Sequence, residues 1–177
     1  MRRIVRRVTL LVLVALIAAG AAGCRLPWQR KDSGQSAGDT VTVVLYFGDK
    51  NAEKLIRETR QVPREANLTK DEIAIRELIK GPTTPGLVRT VPAETRLLSL
   101  RIENGIAYAN FSQEIKTKHW GGSTGELMTV ASIVNTLTEN PEIKKVQFLL
   151  EGRVEDSIWG HGITSEPIPR NESIIGK

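Results

Sequence analysis

The sequence predicts an α+β fold, a small mixed sheet with two helices packed on one face. Three observations carry this. Apolar, β-branched runs begin and end the region from residue 40 to residue 171. An Asn104-Gly105 pair sits between two alternating segments. Two Thr/Ser-x-x-Glu boxes, Thr69–Glu72 and Ser123–Glu126, each open a stripe at helical spacing. Strands and helices in that order pack as one sheet layer and one helix layer.

The chain has 177 residues, with 40% hydrophobic and 25% charged residues, a composition that supports a globular core. Its formal charge of +5 belongs to the start of the chain. Arg2, Arg3, Arg6 and Arg7 supply four of the positives, and residues 1–23 carry no acid. From Ser33 onward the net charge is close to −1, so no basic footprint for nucleic acid remains.

Residues 1–23 read as a lipoprotein signal peptide. The arginines form a cationic start, and Val8 to Ala19 is an apolar run broken by Thr9. That run is shorter than the ~20 residues needed to span a bilayer and suits a signal peptide core. Ala21-Ala22-Gly23-Cys24 follows. Small residues there fit a peptidase groove, and the thiol of Cys24 can carry a diacylglycerol group. The tetrapeptide resembles the bacterial lipobox, with Ala21 where that pattern favours Leu. Cys24 is the chain's single cysteine, so it has no internal disulfide partner, and it is assigned as the lipidation site. The membrane is the expected partner and the extracytoplasmic face the expected location. Residues 24–39 are the lipidated N-terminus and a linker, rich in Ser and Gly from Ser33 to Asp39.

The folded domain is expected over residues 40–171. Val41 to Phe47 is a buried strand closed by Gly48-Asp49, and Ile56 to Val62 a shorter one ended by Pro63. Thr69-Lys70-Asp71-Glu72 is a capping box. Ala74, Ile75, Leu78 and Ile79 form the apolar face of its helix, and Gly81-Pro82 stops it. Thr83 to Pro92 reads as a loop. Asn104-Gly105 favours a two-residue hairpin turn with both residues at positive φ. The turn sets Ile102 opposite Ala107, Leu100 opposite Ala109 and Leu98 opposite Phe111, all facing the core. Ser99, Arg101, Tyr108 and Asn110 then face away. Ser123 reads as the N-cap of a second helix, with Leu127, Val130, Ala131, Val134 and Leu137 on its buried stripe and Met128 and Ile133 widening it. Val146 to Leu150 is a further buried strand, and Ile163 to Ile168 an edge strand protected by Pro167 and Pro169.

These pieces, in order, resemble the GerMN domain family. The resemblance rests on Val43 to Phe47, on Arg60-Gln61-Val62, on Leu78-Ile79-Lys80-Gly81-Pro82 and on Val91-Pro92. It continues through Tyr108-Ala109-Asn110-Phe111-Ser112, Gly122-Ser123 with Asn135-Thr136-Leu137-Thr138, and Val146-Gln147-Phe148-Leu149-Leu150-Glu151-Gly152. Asn110 departs from the family's usual Asp. The resemblance implies a domain like the ring-building modules of envelope complexes, in a lipoprotein of sporulation, spore germination or cell-envelope function. It also implies a domain that is not an enzyme, with envelope proteins or other copies of itself as partners.

The residues add little chemistry. No catalytic, cofactor or metal residues are assigned. His119 and His161 are the two side chains able to titrate near neutrality, and each lies beside Trp and Gly. As an alternative function, their loops could hold a small or cell-wall ligand near the free N–H groups of the Ser123 helix. Two surface histidines in turns is the plainer reading.

Overall fold

The computed structural model describes residues 39–176. The signal peptide, Cys24 and the linker up to Gly38 lie outside the described residues.

β1 (Thr40–Asp49) and β2 (Leu55–Pro63) form an antiparallel hairpin in which Val43 faces Arg60 and Phe47 faces Ile56. α1 (Lys70–Lys80) follows. Its capping box is formed as the sequence predicts: the Glu72 N–H donates to Thr69 Oγ1 at 3.2 Å, and the Thr69 N–H to Glu72 Oε2 at 2.8 Å. Inside the segment expected to be a loop, β3 (Leu87–Val88) pairs with the end of β1. β4 (Leu97–Glu103) and β5 (Ile106–Phe111) make the second hairpin. α2 (Glu114–Thr117) is a single turn, and α3 (Ser123–Leu137) is the long helix. β6 (Lys145–Leu150) returns parallel to β5, and β7 (Ile168–Pro169) pairs antiparallel with β6.

The α+β class holds, with the strands divided between two sheets, ordered β2-β1-β3 and β4-β5-β6-β7. α1 and α3 pack against β1 and against each other, and α1 also reaches β4 while α3 reaches β6. One core therefore joins both sheets. Val43, Leu45 and Phe47 meet Ile75 and Leu78 of α1, Ile133 and Leu137 of α3, and Phe111 and Phe148 of the second sheet. All of these are fully buried. Packing continues past Asn171: Ile174 is buried, its carbonyl accepts from the Leu55 N–H at 2.8 Å, and the Gly176 N–H donates to the Leu55 carbonyl.

Four local expectations need correction. Asn104 and Gly105 have the positive φ values of 51° and 77° that the turn requires, and the pairs Ile102–Ala107 and Leu100–Ala109 form. The register then slips. A β-bulge between Leu97 and Ser99 puts Leu97, not Leu98, opposite Phe111. An inserted residue shifts every later pair by one position. Leu98 and Ile102 are 42% and 39% exposed, because β4 is the outermost strand of its sheet. On α3, Leu127 faces solvent, while Met128 and Ile133 are buried. The Ser123 capping box is absent. The N-cap is Gly122 at φ 81° with no side-chain cap, and Ser123 is the first helical residue. Finally, the tail strand is only Ile168–Pro169, and Ile163 lies in a loop.

Candidate functional site

The motifs quoted above prove to be joints between elements. Arg60 lies at the centre of the first. Its guanidinium donates to Glu58 Oε1 at 2.6 Å, to Glu77 Oε2 at 3.0 Å and to the Gly81 carbonyl at 2.6 Å. Glu58 also accepts from the Thr84 N–H at 2.8 Å and from Thr83. Glu58 and Glu77 are both buried. Burial alone would raise the Glu58 carboxyl, but the hydrogen bonds from Thr84, Arg60 and Thr83 outweigh it and hold the pKa at about 2. The Arg60-Gln61-Val62 and Gly81-Pro82 motifs are thus two halves of one clamp between β2 and the end of α1.

A second joint closes the other end. Arg170 donates to the Asn135 carbonyl at 2.8 Å, to Thr138 Oγ1 at 3.1 Å and to the Tyr46 hydroxyl at 2.9 Å. The Tyr46 hydroxyl donates to Glu139 at 2.7 Å, and the Asn135 side chain pairs with both backbone groups of Asn171. Asn110, the departure from the family pattern, accepts from the Gly152 N–H at 2.7 Å. Only the amide oxygen is used there, so Asn serves this contact as Asp would.

The cleft of about 360 Å³ between α1 and the end of α3 is lined by Asp71, Thr136, Glu139 and Asn140 among others. Two of its carboxylates are occupied: Asp71 accepts from Asn140 at 2.9 Å, and Glu139 from Tyr46 and Arg170.

The two histidines attach to one turn of α3. His119 Nδ1 accepts from the Gly121 N–H at 3.0 Å. Nε2 therefore carries the proton in the neutral ring and donates to Thr129 Oγ1 at 2.9 Å, whose own hydroxyl donates to the Thr90 carbonyl at 2.6 Å. Trp120 stacks on His119 with centroids 4.8 Å apart, and Trp159 lies at 5.5 Å. Both ring nitrogens are engaged, so His119 orders the loop rather than serving as a base. Burial pushes its pKa below the ordinary value. The unfolded chain therefore takes up the proton first, and stability falls as pH drops below about 6.5. Urea midpoints at about pH 7.5 and about pH 5.5 should fall more for the wild type than for His119→Gln. An equal fall in both chains would contradict the neutral assignment.

Glu126, expected to close the Ser123 capping box, reaches across instead to the loop after Trp159. It is 3% exposed and accepts from the Gly162 N–H at 2.5 Å and the His161 N–H at 3.1 Å, with His161 Nδ1 at 3.2 Å. The 230 Å³ cleft alongside is lined mainly by apolar Leu127, Val130, Ile163 and Ile168. His119 and His161 thus share a corner of the fold: both ring nitrogens of His119 meet protein partners, while His161 uses Nδ1 alone and its side chain is 52% exposed. Neither Glu126 nor Ile163 is marked as special by the sequence pattern. Glu126 is masked by its capping-box spacing, and Ile163 by its place in an alternating run.

The geometry defines one α+β module whose signature residues fasten loops to the core, leaving the outer edge of β4 and the start of α3 as its open surfaces. The family model described as Germane, sporulation and spore germination, matches residues 44–156, and the chain belongs to that family. Spore germination protein GerM of Bacillus subtilis (strain 168) is 30% identical over 124 residues, covering 65% of this chain and 32% of its own. The chain therefore spans about a third of the length of that relative. The first GerMN domain of the Bacillus subtilis sporulation protein GerM superposes with a TM-score of 0.59 at 26% identity, over 74% of this chain and 98% of that domain. A candidate lipoprotein from Clostridium perfringens superposes with a TM-score of 0.52 at 31% identity, over 76% and 89% of the two chains.

Proposed function

We propose that this protein is an extracytoplasmic lipoprotein, held to the cell membrane by lipid on Cys24. Its Germane module is a non-catalytic protein-binding or assembly unit in sporulation, spore germination or envelope function. The kinship with a spore germination protein and the likeness to a candidate lipoprotein support the setting. The observation that carries the binding role is the edge of β4. Among the described residues no strand pairs its outer side, and it presents exposed Leu98 and Ile102. An open edge of this kind offers backbone hydrogen bonds for an added strand and apolar side chains for selectivity.

The other edges are blunted. β3 and β7 have two residues each, β7 ends in Pro169, and β2 is bridged at Leu55 by Ile175. The test is the size of the intact lipidated protein after mild solubilisation from its native membrane. Wild type should migrate in a complex larger than the monomer, and the Leu98→Lys/Ile102→Lys variant as a monomer with its thermal midpoint little changed. Both positions are already exposed, which keeps the expected stability cost within about 0.5 kcal/mol per site. A monomeric wild type would contradict the proposal.

A further inference from the structure

We propose a second contact surface: the corner at the start of α3 docks on the lipid surface itself, with Ile163, Leu127 and Trp120 as its inserting side chains. This rests on the lipid-anchor reading of Cys24.

Ile163 is 73% exposed, the most exposed of the large hydrophobic residues in the described chain. It is also held in place from both sides. On one side, buried Glu126 fixes the Gly162 and His161 amides. On the other, buried Thr164 accepts from the Ile158 N–H at 3.1 Å and donates to the Glu155 carbonyl at 2.9 Å. Its carbonyl in turn accepts from buried Gln147 at 2.8 Å. Burying a carboxylate and an amide to hold a loop costs desolvation. Here the outcome is an isoleucine fixed in water, an arrangement that pre-organises an apolar tip for a partner.

Leu127, 50% exposed, lines the same cleft as Ile163. Trp120, 53% exposed, stacks on His119 and abuts Gly125, one residue before Glu126; a Cβ at Gly125 would lie 2.7 Å from Trp120 Nε1. Isoleucine, leucine and tryptophan are residue types that enter the interfacial zone of a bilayer.

A lipid surface is favoured over a protein because of the tether. Residues Arg25 to Gly38 separate Cys24 from the start of the described fold at Asp39. Such a length spans at most roughly 50 Å when extended. The module is thereby kept at high effective concentration against the bilayer, where a weak contact is populated. The cleft between Leu127 and Ile163 is lined mainly by apolar side chains, with Val130 and Ile168 beside them. Docking here is therefore driven by apolar burial and persists at high salt.

The test uses the full lipidated protein in phosphatidylethanolamine–phosphatidylglycerol vesicles. Cys24 is blocked by its lipid, so Ile163→Cys and, as a control, Arg57→Cys on β2 each accept one environment-sensitive fluorophore. The label at 163 should shift to the blue and be quenched several-fold more by nitroxide lipids than the label at 57, at low and high salt alike. Adding Leu127→Asp should reduce that quenching while the circular dichroism spectrum stays unchanged. Protein that floats with the vesicles but shows equal, water-like signals at both positions overturns the docking and leaves the anchor standing. Protein that does not float overturns both. A shift at 163 that needs no nearby lipid and grows with protein concentration identifies a second copy as the occupant and overturns the lipid assignment.

Discussion

Arg60→Ala should destabilise the folded module by roughly 3–5 kcal/mol, the cost of leaving a buried charge, Glu58, without its counter-ion. Arg60 is the cation shared by Glu58 and Glu77, and it also holds the Gly81 carbonyl. Its removal leaves buried Glu58 with only its bonds from Thr83 and Thr84, while Glu77 keeps Lys80 at 2.5 Å. Against a typical total of about 5–15 kcal/mol, the variant is expected to melt many degrees lower and to be sensitive to proteolysis. Chemical denaturation of both chains at neutral pH reads the difference; a loss under about 1 kcal/mol would show that the clamp does not hold the fold. The pH dependence gives an independent check. Glu58 has a folded pKa of about 2 against 4.5 for the free carboxyl. Its contribution is fully present above pH 4.5 and is lost as pH falls toward 2, an effect on the order of 3 kcal/mol. Removing Arg60 should flatten that acid limb.

Cys24→Ser should abolish incorporation of radiolabelled palmitate and displace the mature module from the membrane. Each buried CH₂ contributes about 0.8 kcal/mol, and two acyl chains turn weak, reversible partitioning into stable anchoring. Loss of the thiol removes the first two chains together, so partitioning should fall by several orders of magnitude. Labelling that persists undiminished in the variant would contradict the lipid site. The prediction does not depend on the folded module, whose fold begins after the linker.

Much of the fold was legible because its signals are local. Thr69 and Glu72 reach each other within one turn and are both near solvent, so spacing suffices to identify the box. Asn104-Gly105 likewise fixes its turn through the φ values of two adjacent residues. The same reasoning fails at Ser123 and Glu126, where the spacing is identical. The Glu126 carboxylate finds the amides of His161 and Gly162, a contact between residues far apart in sequence that no local pattern announces. The bulge at Leu98 is similar. An alternating run gives no sign that one residue stands outside the ladder, so the alternation points Leu98 to the core while the bulge leaves it at the open edge. The division into two sheets follows from which strands pair across the chain, and β3, only two residues long, is hidden in a segment rich in Pro, Gly and Thr.

The family motifs were legible as a pattern, but their meaning was not. Arg60, Asn135, Thr138 and the Glu151 N–H contact partners from other motifs or from near residue 170, so each acts as one half of a joint. Residues that recur as a pattern here fasten the structure. The surfaces open to partners are instead set by Leu98, Ile102, Trp120 and Ile163, whose exposure follows from tertiary placement.

In the proposed role, the module meets protein partners through the edge of β4. The most direct test is a photoreactive amino acid placed at position 102 of the intact lipoprotein in its native membrane, with position 57 on β2 as the control. Illumination should give a discrete adduct from position 102, none from position 57, and loss of the adduct when Leu98→Lys is added. Equal yields from the two positions, or none from position 102, would contradict the account.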